Sequence, residues 1–260
     1  MTDRPPIFFV HIMKTGGTTV QKMIRYRLPE MRVFPNNIED PNRLVAHVNI
    51  PYLRGIPAER VQRTRVFAGH FPYIATKMLG CEVQTMTLLR DPVERVISHL
   101  KHHHRQEGGF THWSRELREI SNPTLQQLYN DQLLKPMFFL NHQMRIFSIN
   151  EQDECGSFLQ KTPVDESRLE AACRNIEQVD CVGLLDDLED FRLEINQHFQ
   201  LHTRPVKRSN EATNKVEVPQ SLRDQIAEDN RLDIEFYKFA AALHRKRRGA
   251  AEPQSSSASA

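Results

Sequence analysis

No apolar run in this sequence approaches the roughly 20 residues that a helix needs to cross a bilayer, so a membrane-spanning helix is excluded. Cysteine is sparse and scattered (Cys81, Cys155, Cys173, Cys181) with no C-x-x-C pair. That excludes a disulfide framework and a thiolate metal knot as organising devices, and free buried thiols are expected instead. An excess of one charge is also missing: the formal net charge is +2. Bulk attraction for nucleic acid therefore falls away, and any anion site must come from local clustering. The triphosphate-binding pattern G-x-x-x-x-G-K-[ST] is absent, because the lysine of the glycine-bearing turn precedes its glycines; this argues against simple ATP or GTP hydrolysis. Internal repeats are lacking as well. The first strand begins near Ile7, with no room ahead of it for a charged, an apolar and a cleavage region, so a cytoplasmic location is expected.

What is present is an ordinary globular composition: 260 residues, 39% hydrophobic and 26% charged. It suits one α/β domain over 1–248, with 249–260 as a disordered Ser/Ala tail. The organising stretch is Ile7 to Thr19. Ile7 to Ile12 is an apolar, β-branched run fit for a central parallel strand covered on both faces. Gly16 and Gly17 then allow a sharp turn and a close backbone approach, and a helix follows through Ile24. Thr18 and Thr19 stand where the helix N-terminus offers unpaired N–H groups and partial positive charge, so the unit is an anion cradle with Lys14 at the strand tip. A plain strand-to-helix turn with a solvated lysine satisfies the local pattern equally well.

Further along, Phe34 to Ile56 is rich in Pro and Asn and reads as a long connection with at most short helical turns. Thr64 to His70 reads as a strand that leaves His70 just past its carboxyl end, the edge where open α/β sheets bind ligands. Val83 to Leu89 reads as another strand, ended by Arg90-Asp91-Pro92, with Asp91 as the cap of a helix through Leu100. His99, His102, His103 and His104, with Lys101 and Arg105, read as a solvated basic helix end rather than a metal site, since no carboxylate or cysteine partner stands at ligand spacing. The text from His112 to Phe147 is helical in period, as are Leu169 to Ile176 and Leu188 to Phe199, with a strand between at Val179 to Leu185. This alternation predicts a central, mostly parallel sheet flanked by helices. His202 to Val218 is polar and reads either as a surface loop or as a phosphate-contacting flap carrying Lys207, Arg208 and Asn210. Pro219 starts a further helix, Ile234 to Leu243 is the last, and His244 to Arg248 reads as a frayed basic end.

Together, His11-Ile12-Met13-Lys14-Thr15-Gly16-Gly17-Thr18-Thr19 and Leu89-Arg90-Asp91-Pro92-Val93-Glu94-Arg95-Val96-Ile97-Ser98 resemble the two nucleotide signatures of the sulfotransferases, nearest the carbohydrate branch with the heparan sulfate and uronyl 2-O-sulfotransferases. The resemblance extends more weakly to Phe67-Ala68-Gly69-His70-Phe71 and later segments. Met13 stands where proline is common. The resemblance implies a P-loop-like three-layer fold and a donor, 3′-phosphoadenosine 5′-phosphosulfate, with no metal. It implies a 5′-phosphosulfate site at Lys14, Thr15, Gly16, Gly17, Thr18 and Thr19, and a 3′-phosphate site at Arg90 and Ser98. Lys14 would neutralise the leaving oxygen and His70 would take the acceptor's proton. The acceptor is expected to be a hydroxyl on a glycan or glycolipid, chosen by the loops at 34–56, 105–122 and 151–164. Two other readings stay open: a magnesium-dependent kinase-like enzyme, and a non-catalytic protein that binds anionic glycans through the 99–105 and 204–208 clusters.

Overall fold

Alternate residues of the first strand, β1 (Ile7–Val10), enter opposite apolar layers: Phe8 and Val10 one, Ile7 and Phe9 the other. A strand with both faces covered must lie inside a sheet, and β1 is its centre. The structure is a computed structural model that describes residues 4–105, 114, 117–120, 122–153, 162–207 and 216–251, the side chains of 118, 250 and 251 excepted. In chain order the elements after β1 are α1 (Gly17–Arg25), β2 (Val33–Phe34), α2 (Arg43–Val48), α3 (Ile50–Arg54), α4 (Ala58–Arg63), β3 (Val66–Phe67), β4 (Gln84–Leu89) and α5 (Pro92–Arg105). They continue as α6 (Leu125–Asn130), α7 (His142–Ser148), α8 (Glu166–Glu177), β5 (Cys181–Leu184), α9 (Leu188–Phe199), α10 (Gln220–Asp229) and α11 (Arg231–Ala251).

The sheet is five-stranded in the order β2-β3-β1-β4-β5, every pair parallel, with Ile7 opposite Val66 on one side and Gln84 on the other. The expected α/β architecture, a parallel sheet between helical layers, is therefore present. One layer packs Val20, Met23 and Ile24 of α1 with Phe191, Ile195 and Phe199 of α9. The other packs α5, α7, α8, α10 and α11 against Phe8, Phe67 and Leu89. Each fully buried Phe contributes about 1.5–3 kcal/mol relative to exposure, and β1 carries two of them, Phe8 and Phe9. Every strand points the same way, so the loops after β1, β3 and β4 open at one edge.

Several expectations are corrected. The Pro/Asn-rich connection holds the edge strand β2 as well as short helices. A buried Asp40 organises it, accepting from the Asn36 backbone N–H at 2.7 Å and the Tyr52 hydroxyl at 2.8 Å and pairing with Arg60, while Asn42 and Asn49 cap α2 and α3. The helical text before Phe147 is broken, where described, into α6, a π-helical turn at Lys135–Phe139 and α7. Asp131 accepts from the N–H groups of Leu133 and Leu134, and Asn141 takes a left-handed φ of 45°, which interrupts the run. The basic end is not frayed: α11 continues through it, His244 is buried, and Arg247 donates to the carbonyls of Val179 and Glu177. The expected tail beyond 251 lies outside the described residues.

Candidate active site

At the carboxyl edge of the sheet, the β1–α1 turn, the exit of β3 and the start of α5 enclose a cavity of about 410 Å³. The turn is built from unusual backbone: Lys14 has φ 69° and Gly16 has φ 90°, both left-handed. Gly16 suits that conformation and also has no room for a side chain, since a Cβ there would lie 2.4 Å from Leu185 Cδ1. Gly17 is fixed by a neighbour: a Cβ would sit 2.0 Å from Cδ2 of the His11 ring. Thr19 and Val20 donate to the Gly16 carbonyl and start α1. The first-turn N–H groups of α1 are thus set around the space that Lys14, Gly16, Gly17, Thr18 and Thr19 line. Thr15 is turned away: its buried hydroxyl donates to the Ile12 carbonyl at 3.0 Å, so only its backbone is left for a ligand.

The second wall comes from α5. Buried Gln143 of α7 holds the Arg90 backbone from both sides, its Oε1 accepting from Arg90 N–H at 3.1 Å and its Nε2 donating to Arg90 C=O at 2.8 Å. That clamp points the Arg90 guanidinium across the gap, where Nη1 donates to the Lys14 carbonyl at 3.4 Å. Asp91 accepts from the Glu94 N–H at 2.9 Å, the expected cap, and Glu94 pairs with Arg223 of α10 at 2.7 Å and with Arg90 at 4.0 Å. Glu94, Ile97, Ser98, Lys101, His102 and Arg105 recur at helical spacing along the cavity wall. The reading of a solvated basic helix end is therefore corrected. His99 and His103 are buried, while Lys101, His102 and Arg105 face the cavity.

His70 stands between the walls. Its Nδ1 lies 2.8 Å from the His11 carbonyl, and a carbonyl only accepts, so Nδ1 carries the proton and the neutral ring keeps its lone pair on Nε2. Burial, opposed by that hydrogen bond and reinforced by Lys14, holds His70 below the ordinary histidine range. The imidazole is then a neutral base near pH 7. Burial first, then Arg105, Arg90 and Arg95, lower Lys14 to about 8. A crowd of cations with one carboxylate among the described lining residues, itself engaged by arginines, fits an anionic ligand.

The structure therefore brings Lys14, Gly16, Gly17, Thr18, Thr19, His70, Arg90 and Ser98 to one cavity. Lys207 is exposed and does not line it, and Arg208 and Asn210 lie outside the described residues. The sequence gives no role to Gln143 or to His47, whose ring meets that of His70 edge-on at 5.6 Å, and it offers the Lys101–Arg105 stripe only as a solvated helix end or an anionic-glycan contact, not as a wall of this cavity. The stripe's signal was its spacing from Ser98; Gln143 and His47 carry none, arriving from α7 and α2. Among the described residues no group of three His, Cys, Asp or Glu side chains is placed to hold a metal ion, and no helix is long and apolar enough to cross a membrane.

The pattern of the Sulfotransferase family matches residues 1–240. The chain belongs to that family. A transferase that moves a sulfuryl group accounts for a cation-lined cavity with a neutral base. A crystal structure of a sulfotransferase from Alicyclobacillus acidocaldarius is similar at 15% identity, with a TM-score of 0.43, over 94% of this chain and 97% of that one. No curated protein matches the sequence.

Proposed function

We propose that this sulfotransferase takes its sulfuryl group from 3′-phosphoadenosine 5′-phosphosulfate and delivers it to a hydroxyl of a glycan or glycolipid, in the cytoplasm. The observation that supports this most is the junction of Lys14 and Arg90: two cations from different strand ends line one cavity, and the Arg90 guanidinium donates to the Lys14 backbone carbonyl. A donor with phosphates at both the 3′ and 5′ positions asks for such paired sites.

In this reading the N–H groups of Thr15 to Thr18 and the Thr18 and Thr19 hydroxyls hold the 5′-phosphate, and Arg90 with Ser98 holds the 3′-phosphate. Arg90 suits that role because its fork can give charge-assisted contacts. Lys14 neutralises the charge that develops on the departing phosphate oxygen. His70 Nε2 takes the acceptor's hydroxyl proton as the new O–S bond forms and the old one breaks. Lys207, Arg208 and Asn210 contact a phosphate of the nucleotide in the same reading. The alternative of a magnesium-dependent kinase asks for a carboxylate free to hold the ion at the phosphates, and Glu94, the one carboxylate among the described lining residues, is engaged by Arg223.

Thermal shift decides between the donors. Adenosine 3′,5′-bisphosphate is expected to stabilise the protein more than ATP with magnesium; the reverse order overturns the donor assignment. Turnover with a labelled sulfate donor across glycans and glycolipids then identifies the acceptor, and transfer to none of them while phenols or peptides are sulfated removes the glycan reading.

A further inference from the structure

His11 belongs to the organising stretch, yet no chemistry above uses its ring. The ring is 6% exposed and lines the cavity. It is clamped by Phe9, whose ring is parallel within 7° at 5.1 Å, and by His70, at 4.1 Å and 34°. Gln21, one turn into α1, places its amide nitrogen 3.1 Å from His11 Nδ1 and also donates to the Ala68 carbonyl at the exit of β3. An amide nitrogen only donates, so His11 Nδ1 accepts, and a neutral ring in that state carries its proton on Nε2. That Nε2 would lie 2.2 Å from a Cβ at position 17, so it occupies the space beside the first residue of α1 that glycine leaves open.

We propose that His11 is a working ligand of the anion cradle: Gln21 fixes its tautomer, and its Nε2–H is aimed beside Gly17 to donate to an oxygen of the phosphate or sulfuryl group bound there. This rests on the donor assignment above for the identity of the anion. The arrangement adds a neutral donor to a place already crowded by Lys14, where another full charge would be costly. Burial, then His70 and His47, outweighs the Ala68 carbonyl, which favours the charged ring, and keeps His11 well below the usual histidine range, so the ring stays uncharged. The titratable groups that face the paired rings are Lys14 of the turn, His47 of α2 and His142 of α7. His11 also serves His70 through its carbonyl, a contact that a side-chain substitution leaves in place.

Gln21→Glu and Gln21→Leu separate the idea from a packing role. Imidazole nitrogen NMR of the wild-type protein is expected to show His11 protonated on Nε2, and Gln21→Glu to move that proton to Nδ1, where a carboxylate accepts it. Either variant should weaken adenosine 3′,5′-bisphosphate about tenfold, the scale of one hydrogen bond to a charged group. Adenosine 3′-monophosphate, which lacks the 5′-phosphate, should bind both variants as it binds wild type. A wild-type His11 protonated on Nδ1, or variants that bind the bisphosphate with full affinity, overturns the proposal. Titration with inorganic sulfate keeps it apart from the donor assignment. If sulfate shifts the His11 Nε2 signal while the bisphosphate does not bind, the cradle role stands and the donor assignment falls; if the bisphosphate binds and leaves that signal unmoved, the cradle role falls alone.

Discussion

Two pairs of histidines, His11 with His70 and His99 with His103, are held differently, and their difference separates chemistry from packing. His11 and His70 are held by directional bonds: a carbonyl takes the His70 Nδ1–H, and Gln21 meets His11 Nδ1. His99 and His103, on the inner side of α5, lie among aromatic rings. They stack at 4.7 Å and 19°, and His99 meets Phe138 and Phe139 edge-on at 5.3 and 5.6 Å. Neither ring nitrogen of His99 has a hydrogen-bond partner among the described residues. Burial lowers the proton affinity of both groups. His11 and His70 each have a defined tautomer and face the cavity, and moving a proton in one direction requires that. The second group serves as polarisable filler beside a π-helical turn.

The sharpest break is kinetic. His70→Ala is expected to lower turnover by about 10²–10⁴-fold, the worth of a positioned base, while nucleotide affinity holds. His99→Phe, at a histidine that does not line the cavity, should leave turnover near wild type. If the two substitutions cost the same, the distinction between the groups is lost. Lys14→Ala comes next, with a loss of about 10²–10³-fold in kcat from uncompensated charge on the leaving oxygen. Arg90→Ala should weaken adenosine 3′,5′-bisphosphate by about tenfold to a hundredfold and spare adenosine 5′-monophosphate, as calorimetry with the two nucleotides would show.

These residues differ in how visible they were before the fold was known. Lys14, Gly16, Gly17 and Arg90 sit in short local patterns whose turn chemistry is written in adjacent residues, and β1 and α9 carry clear periods of their own. β2 has two residues and so no period at all; its burial comes from β3 beside it and from Arg60, whose guanidinium lies 4.9 Å from the Phe34 ring centre. Gln143 and His47 reach the site from α7 and α2, and the topology that delivers them is not local. The α5 stripe was legible at its spacing, but a run of basic residues reads as solvated until a second wall is known to face it. His99 and His103 show the same error from the other side: a polar residue type suggested water, and tertiary packing overrode it.

A gentler test of the packed group uses pH. The unfolded chain protonates its histidines near 6.5, whereas folded His103 is lowered to about 4 and His99 lies well below its ordinary value, each chiefly by burial. The unfolded state therefore binds more protons as pH falls from about 6.5 towards 4, and stability must fall with it. Above about 6.5 these rings are neutral in both states and contribute no slope. Each such ring adds at most about 1.4 kcal/mol per pH unit. Denaturant melts of His99→Leu should show a shallower acid limb; an unchanged limb would mean that His99 is not among the protons counted. The smallest effect is expected at pH 7, where the same substitution replaces a ring without hydrogen bonds by an apolar side chain and should be close to neutral.

The last helix has a consequence for how the protein stays dispersed. β5 ends the sheet, and a bare final strand is a template on which another chain can add. His244 Nδ1 meets the Val182 carbonyl at 2.8 Å, and Arg247 reaches the Val179 carbonyl at 2.7 Å, so two basic side chains of α11 occupy acceptors along that margin. A chain shortened to Leu243 would bare them, and self-association growing with concentration is the outcome that sedimentation should record.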